Sequence, residues 1–269
     1  MPEHILTYFR KHKQIIEENL QLCADPKDIE AVHQFRLSVK RIRVAATLTS
    51  MICESCFDSK TALKDINRLF KRSGRLRDVQ VSLQLLAGFN KEGLAPVIAL
   101  YHKRERKQRL KFEKALDAYN NKSLDACELI IQEALAGISA KRALSAGHRL
   151  LADMESDIRE LFHGSKHEKR LHAIRTRLKS INYLNNIFDE QLPVQEYLNI
   201  SVERLRELGE LAGAWHDSLT LEKKITKFIR KSPDPDMHVA LRSFVKELKT
   251  RKQELQQEYS CILMNEVKI

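Results

Sequence analysis

The segment His33-Gln34-Phe35-Arg36-Leu37-Ser38-Val39-Lys40 returns 139 positions later as His172-Ala173-Ile174-Arg175-Thr176-Arg177-Leu178-Lys179. Histidine, arginine and lysine keep their places. The apolar positions stay apolar: Val32, Phe35, Val39 and Ile42 fall on Leu171, Ile174, Leu178 and Ile181. The register holds without a gap further along, where Leu69, Gly74 and Asp78 meet Leu208, Gly213 and Asp217, so histidine and aspartate stand 45 residues apart in each copy. Self-similarity at a fixed period marks a duplicated structural unit. One domain over residues 1–269 is expected, built from internal repeats of about 1–139 and 140–269 and related by a pseudo-twofold axis.

Outside these segments the apolar residues recur at helical spacing nearly throughout, and no alternating pattern competes. Leu, Ala, Lys, Arg and Glu dominate, while only 8 Gly and 6 Pro interrupt 269 residues, which favours helix over strand. The fold class is therefore all-α, a pair of helical bundles. Helices are predicted near 3–22, 28–53 with Asp28 as N-cap, 59–73, Asp78 to before Gly93, 94–119, 123–136, 140–162, 167–190, 195–212, Asp217 to before Ser232-Pro233-Asp234-Pro235, and 236–264. A turn is placed at Asp25-Pro26. Gly74 reads as an interruption, and Asp78 and Asp217 as N-caps or ion-pair partners of their helices.

On a wheel of the 28–53 helix, His33, Arg36, Lys40 and Arg43 fall within an arc of about 80°. Phe35, Val39, Ile42 and Val32 flank that arc on one side, and Leu37, Val44 and Leu48 on the other. The ordinary polar side is read at Gln34, Ser38 and Arg41. A solvated charge face would lie opposite an apolar stripe, whereas this row is bracketed by apolar residues. His172, Arg175 and Lys179 repeat the pattern, between Leu171, Ile174, Leu178 and Ile181 on one flank and Tyr183 and Ile187 on the other. Both rows thus point into a groove or channel. Crowded, desolvated cations repel one another, and a polyanion offsets that repulsion with charge-assisted hydrogen bonds. Arg supplies bidentate phosphate geometry, Lys a mobile point charge, and His a donor that gains a charge beside phosphate. Ion pairing with Asp65, Asp78 or Asp217 in a purely structural network is the competing explanation.

A further cationic row, Lys64, Arg68, Lys71 and Arg75, lies opposite Leu63, Ile66, Leu69 and Phe70 and is compatible with either a solvated face or ligand contact. The run His102-Lys103-Arg104-Glu105-Arg106-Lys107-Gln108-Arg109 adds dense charge to the 94–119 helix. The formal net charge of +11 calls for an acidic partner: nucleic acid, anionic lipid or a phosphate polymer. No apolar run reaches the roughly 20 residues of a membrane span, and no secretory signal is visible. Five irregularly spaced cysteines fit a reducing, cytoplasmic compartment, with Cys53 and Cys56 read as core thiols rather than a metal or redox pair.

His33-x-x-Arg36-x-x-x-Lys40-Arg41-x-Arg43, Gly74-Arg75-Leu76-Arg77-Asp78-Val79, His172-x-x-Arg175-x-x-x-Lys179-x-x-x-Tyr183, Leu208-Gly209 and Asp217, in this order and spacing, resemble the CHAD domain, the conserved histidine α-helical domain. The resemblance covers nearly the whole chain. It implies two pseudo-symmetric helical bundles around a basic central channel that binds inorganic polyphosphate, without a catalytic domain attached. A cytoplasmic location, in association with polyphosphate granules, is expected. Ser180 and Asn182 stand where the first copy has Arg41 and Arg43, and Trp215-His216-Asp217 departs from Leu76-Arg77-Asp78, so fewer charges are expected from the second copy.

The expected function is non-enzymatic polyphosphate binding through His33, Arg36, Lys40, Arg43, Lys71, Arg75, His172, Arg175 and Lys179, with no cofactor and no resident metal. RNA, DNA or general polyanion binding is the alternative, with weak nucleic-acid affinity expected in any case. A metal-dependent phosphohydrolase built on His216-Asp217 with His33 and His172 ranks lower. His216 has Arg77 as its repeat partner, and no carboxylate cluster is expected in the channel.

Overall fold

The computed structural model describes all residues except 24, 26–27, 90–92, 164–167, 190, 231–234 and 268–269, and of residues 163 and 235–240 the backbone alone. The expected turn at Asp25-Pro26 and the Ser232-Pro233-Asp234 break fall largely outside the described residues. Among the described residues there are eleven helices and no strand. They are α1 (Pro2–Leu22), α2 (Ile29–Ile52), α3 (Ser59–Ala62), α4 (Lys64–Ala87), α5 (Ala95–Asp117), α6 (Lys122–Leu135), α7 (Ala140–His163), α8 (Glu168–Ile187), α9 (Val194–Leu198), α10 (Val202–Ile229) and α11 (Pro235–Asn265). None is long and apolar enough to cross a membrane.

Short connections make neighbours in sequence neighbours in space. The closest packing is within four successive hairpins, α1 with α2, α4 with α5, α7 with α8 and α10 with α11. Asp28 caps α2 by accepting from the Ala31 amide at 2.8 Å, and Ser201 caps α10 by accepting from the Arg204 amide at 3.2 Å. At the other end of α2, Arg142 and Arg149 of α7 donate to the Ile52 and Met51 carbonyls at 2.8 and 3.0 Å, which places positive charge where the helix dipole favours it.

Helix α2 sits at the centre, touching α1, α3, α4, α6, α7 and α8. This corrects the expected polar side: Ser38 is completely buried, and Gln34 and Arg41 are half-buried. One core, with Phe9, Phe35, Phe112, Phe188, Trp215 and Tyr259 among its largest members, runs beneath both halves. A smaller second core joins α4, α5, α10 and α11 through residues such as Leu86, Tyr101, Ile225 and Phe244. Between α2 and α4 on one side and α8 and α10 on the other, the packing leaves a cleft of about 970 Å³.

Three expectations about these elements are corrected. Helix α4 runs unbroken through Gly74 and Asp78, and α10 through Gly213 and Asp217. Neither aspartate is therefore an N-cap; both sit in mid-helix on the cleft wall. Cys53 and Cys56 are not core thiols: they form a disulfide just beyond α2, with Cys56 exposed.

Candidate functional site

The cleft is lined from α2 by His33, Arg36, Lys40 and Arg43, from α8 by His172, Arg175 and Lys179, from α4 by Arg77 and Asp78, and from α10 by His216 and Asp217. Seven of the nine residues singled out from the sequence thus meet on one surface. Lys71 and Arg75 do not. They line a separate cleft of about 480 Å³ on the outer side of α4. The flanking apolar residues are present as well: Leu37, Val44 and Tyr183 share the wall with the cations.

Each half holds its arginine over a glycine. Arg36 passes so close to Gly74 that a Cβ there would stand 3.0 Å from Nη1. Arg175 lies over Gly213, at the same 139-residue offset, with 3.7 Å to spare for the equivalent atom. These glycines serve close approach and not helix termination, which explains why α4 and α10 continue through them despite the roughly 1 kcal/mol propensity cost of glycine.

Two of the first-half cations, Arg36 and Arg43, are fixed by neutral groups, while Arg77 Nη1 is buried without a partner. Arg36 Nη1 donates to the Phe70 carbonyl at 2.7 Å and to Ser73 Oγ at 3.0 Å, and Arg43 Nε donates to Asn67 Oδ1 at 2.7 Å. Both guanidinium groups also stack on the Phe70 ring, at 4.1 and 4.0 Å from its centroid. In the second half, Arg175 Nε is buried without a partner. Gly209 and Ala212 occupy the places of Phe70 and Ser73, so the second half lacks the ring and the hydroxyl that hold Arg36.

The decisive electrostatic fact concerns counter-ions. Among the described residues, Arg36, Lys40, Arg43, Arg77, Arg175 and Lys179 form no ion pair. Asp65 pairs with exposed Arg68 instead, at 3.4 Å. The purely structural network weighed against ligand binding is thus not formed. Carboxylates also line the cleft: Asp78, Asp153, Asp157, Glu210 and Asp217. Of these, Asp157 pairs with Arg177 at 2.7 Å. No group of three or more His, Cys, Asp or Glu among the described residues is arranged to hold a metal ion.

The consequence is a strained set of titrations. Burial, then the charges of Arg36, Lys179, Arg175 and Arg43, pushes Lys40 down to about 7. Burial and Arg175 push Lys179 down to about 8, against the pull of Asp217 and Glu210. Arg36 falls to about 10, mainly through burial. His33 is lowered by burial and by Arg77, and His172 by burial and by Arg175. His216 faces His172 with the two Nδ1 atoms 3.1 Å apart, so one ring donates and the other accepts. Burial, then His172 and Arg175, bring His216 to about 4. Asp217 is raised by burial, opposed by Arg175, Lys179 and Arg77.

Sequence reasoning missed Arg77 and His216 as wall residues. The signal was available in the wheel of α4. Arg77 lies within about 20° of Phe70, but the supposed break at Gly74 separated the two.

No curated protein matches the sequence. Among solved structures, the CHAD domain from the plant Ricinus communis superposes with a TM-score of 0.77 at 16% identity, over 100% of this chain and 93% of that one. PptA from Streptomyces chartreusis superposes with a TM-score of 0.69 at 13% identity, over 98% of this chain and 99% of that one. At these identities the superpositions speak for the fold alone. In sequence, residues 7–226 match the CHAD domain family, and with that match spanning most of its length the chain belongs to the CHAD domain family.

Proposed function

We propose that this protein binds inorganic polyphosphate, without turning it over, in a basic channel formed where the duplicated halves meet. The observation that carries this reading is the group of six Lys and Arg side chains that converge on the cleft with no carboxylate within ion-pair distance among the described residues. Holding such charges together in a half-buried place destabilises the empty protein. A linear phosphate polymer removes the repulsion along its whole length and offers each cation an identical acceptor. No base edge has to be read. Among the described residues the cleft wall carries Phe70 and Tyr183 as its only aromatic rings apart from the histidines, a poor stacking platform for nucleobases. Family membership supports the same ligand class.

Competition decides the matter. Labelled long-chain polyphosphate is bound in physiological salt, and unlabelled polyphosphate, RNA and DNA are titrated against it at matched phosphate concentration. Efficient displacement by polyphosphate alone is expected. Equal displacement by RNA or DNA would reduce the assignment to general polyanion binding. The double variant Arg36→Ala/Lys40→Ala should lose affinity while keeping its helical circular dichroism, and unchanged affinity in a folded double variant would remove the channel.

A further inference from the structure

Resting on that reading, we propose that the second cleft, on the outer side of α4, is an extension of the polyphosphate site, so that a long chain leaves the channel at Arg43 and turns around α4 across Lys71 to Arg75 and Arg72. Three observations lead there. The channel opens at the Arg43 end, since Thr47, one turn further along α2, is both exposed and part of the wall. At that end Arg43 is anchored to Asn67 and Phe70 of α4. Lys71 is one helical turn beyond Asn67, which places it only about 40° around the helix from that anchor. Arg75 and Arg68 follow at about 80° and 100° and Arg72 at about 140°. The channel face and the outer row therefore abut, with Lys71 at the seam.

The outer cations are also free to act. Lys71, Arg72 and Arg75 are exposed and form no ion pair or hydrogen bond among the described residues, and only Arg68 has a carboxylate partner, Asp65. They are not scattered over a convex surface. The cleft that holds them is closed on the far side by Ala115, Ala118, Tyr119 and Asn120 at the end of α5. A chain lying there meets a wall on one side and a cationic edge on the other. With side chains a helix has a radius of about 5–6 Å, so the arc from Asn67 to Arg72 adds roughly 13 Å of path. Short oligophosphates fill the channel without reaching it; long chains reach both.

The test uses two ligands and three proteins. Tripolyphosphate and long-chain polyphosphate are titrated into the wild type, into Lys71→Gln/Arg72→Gln/Arg75→Gln, and into Lys103→Gln/Arg106→Gln/Lys107→Gln, which removes as much charge from an exposed face of α5. Expected is a several-fold loss of long-chain affinity in the α4 variant alone, with its salt-dependence slope reduced by roughly 0.7–0.9 for each phosphate no longer neutralised, by analogy with nucleic acids. Tripolyphosphate affinity should not change in the α4 variant. An equal loss for both ligands, no loss for either, or the same long-chain loss in the α5 variant would overturn the extension. If instead the wild type binds neither ligand, the channel reading itself has failed, an outcome separate from the other three.

Discussion

Arg36 and Arg175 stand 139 residues apart and each lies over a glycine, yet they are held differently. Arg36 is clamped from three directions, by the Phe70 carbonyl, by Ser73 and by the Phe70 ring that it shares with Arg43. Arg175 has Gly209 and Ala212 in place of the aromatic ring and the hydroxyl, Asn182 in place of a second arginine, and a buried Nε without a partner. The histidines differ in the same sense. His33 stands near the fixed charge of Arg77, whereas His172 contacts His216, a ring that stays neutral until about pH 4 in the empty protein. One half holds its arginines on the Phe70 ring and on neutral acceptors, and the other lacks those anchors and carries a neutral His216 where the first has Arg77. Preorganised groups lose less freedom when ligand arrives, so affinity should come mostly from the first half.

The sharpest way to break this comparison is to remove one arginine at a time. Arg36→Ala should weaken polyphosphate binding by roughly ten- to a hundredfold, in line with about 1.5–3 kcal/mol for charge-assisted hydrogen bonds. Arg175→Ala should weaken it by about tenfold or less, because a guanidinium without the ring and hydroxyl anchors loses more freedom on binding. Isothermal titration of the two variants settles the order, and equal losses would show that the clamp contributes nothing.

Protons supply the next effect. Lys40 near 7 and Lys179 near 8 are partly neutral in the empty site, because burial and neighbouring cations depress both. A bound polyanion favours their charged forms, so their bound values are higher than their free ones and binding takes up protons. Affinity should therefore rise as the pH falls from above 8 to below 7, with proton uptake visible as a dependence of the binding heat on the buffer. His216→Arg, which copies Arg77 into the second half, should raise affinity at neutral pH by a few-fold, in line with about 0.5–1.5 kcal/mol for one added hydrogen bond. It should also flatten the acid side of the profile, where His216 otherwise gains its proton.

The smallest effect distinguishes the two glycines. Gly74→Ala places a Cβ 3.0 Å from the Arg36 guanidinium and should cost a few-fold in affinity by displacing it. Gly213→Ala meets nothing closer than 3.7 Å, so binding should be unchanged while the helix gains up to about 1 kcal/mol in a thermal melt.

These differences also mark how far the sequence carries. The 3.6-residue periodicity located the helices, and the wheel of α2 brought His33, Arg36, Lys40 and Arg43 to one surface, because side-chain direction in a helix follows from position alone. What could not be read were the close approaches between helices. Gly74 and Gly213 carry the same local signal whether a helix ends or an arginine crosses over it, and only the packing of α2 on α4 and of α8 on α10 decides. Ser38 failed for a related reason. A polar residue away from the apolar stripe reads as solvent-facing, and nothing in α2 itself announces that neighbouring helices surround it. Charge and spacing alone put Lys71 and Arg75 with the other cations, and it is their rotation away from Phe70 around α4 that separates them from the main cleft.

A site built from cations without counter-ions is also easily silenced from within. A Cβ at Gly209 would lie 3.9 Å from the Lys179 side chain, an ordinary van der Waals contact. One substitution to glutamate there would give the protein an internal tenant, pairing with Lys179 and Arg175 and competing with every incoming phosphate. A member of this fold can thus lose its ligand by a single change that leaves its helices, its core and its overall charge almost untouched, so kinship in shape carries no guarantee of kinship in binding.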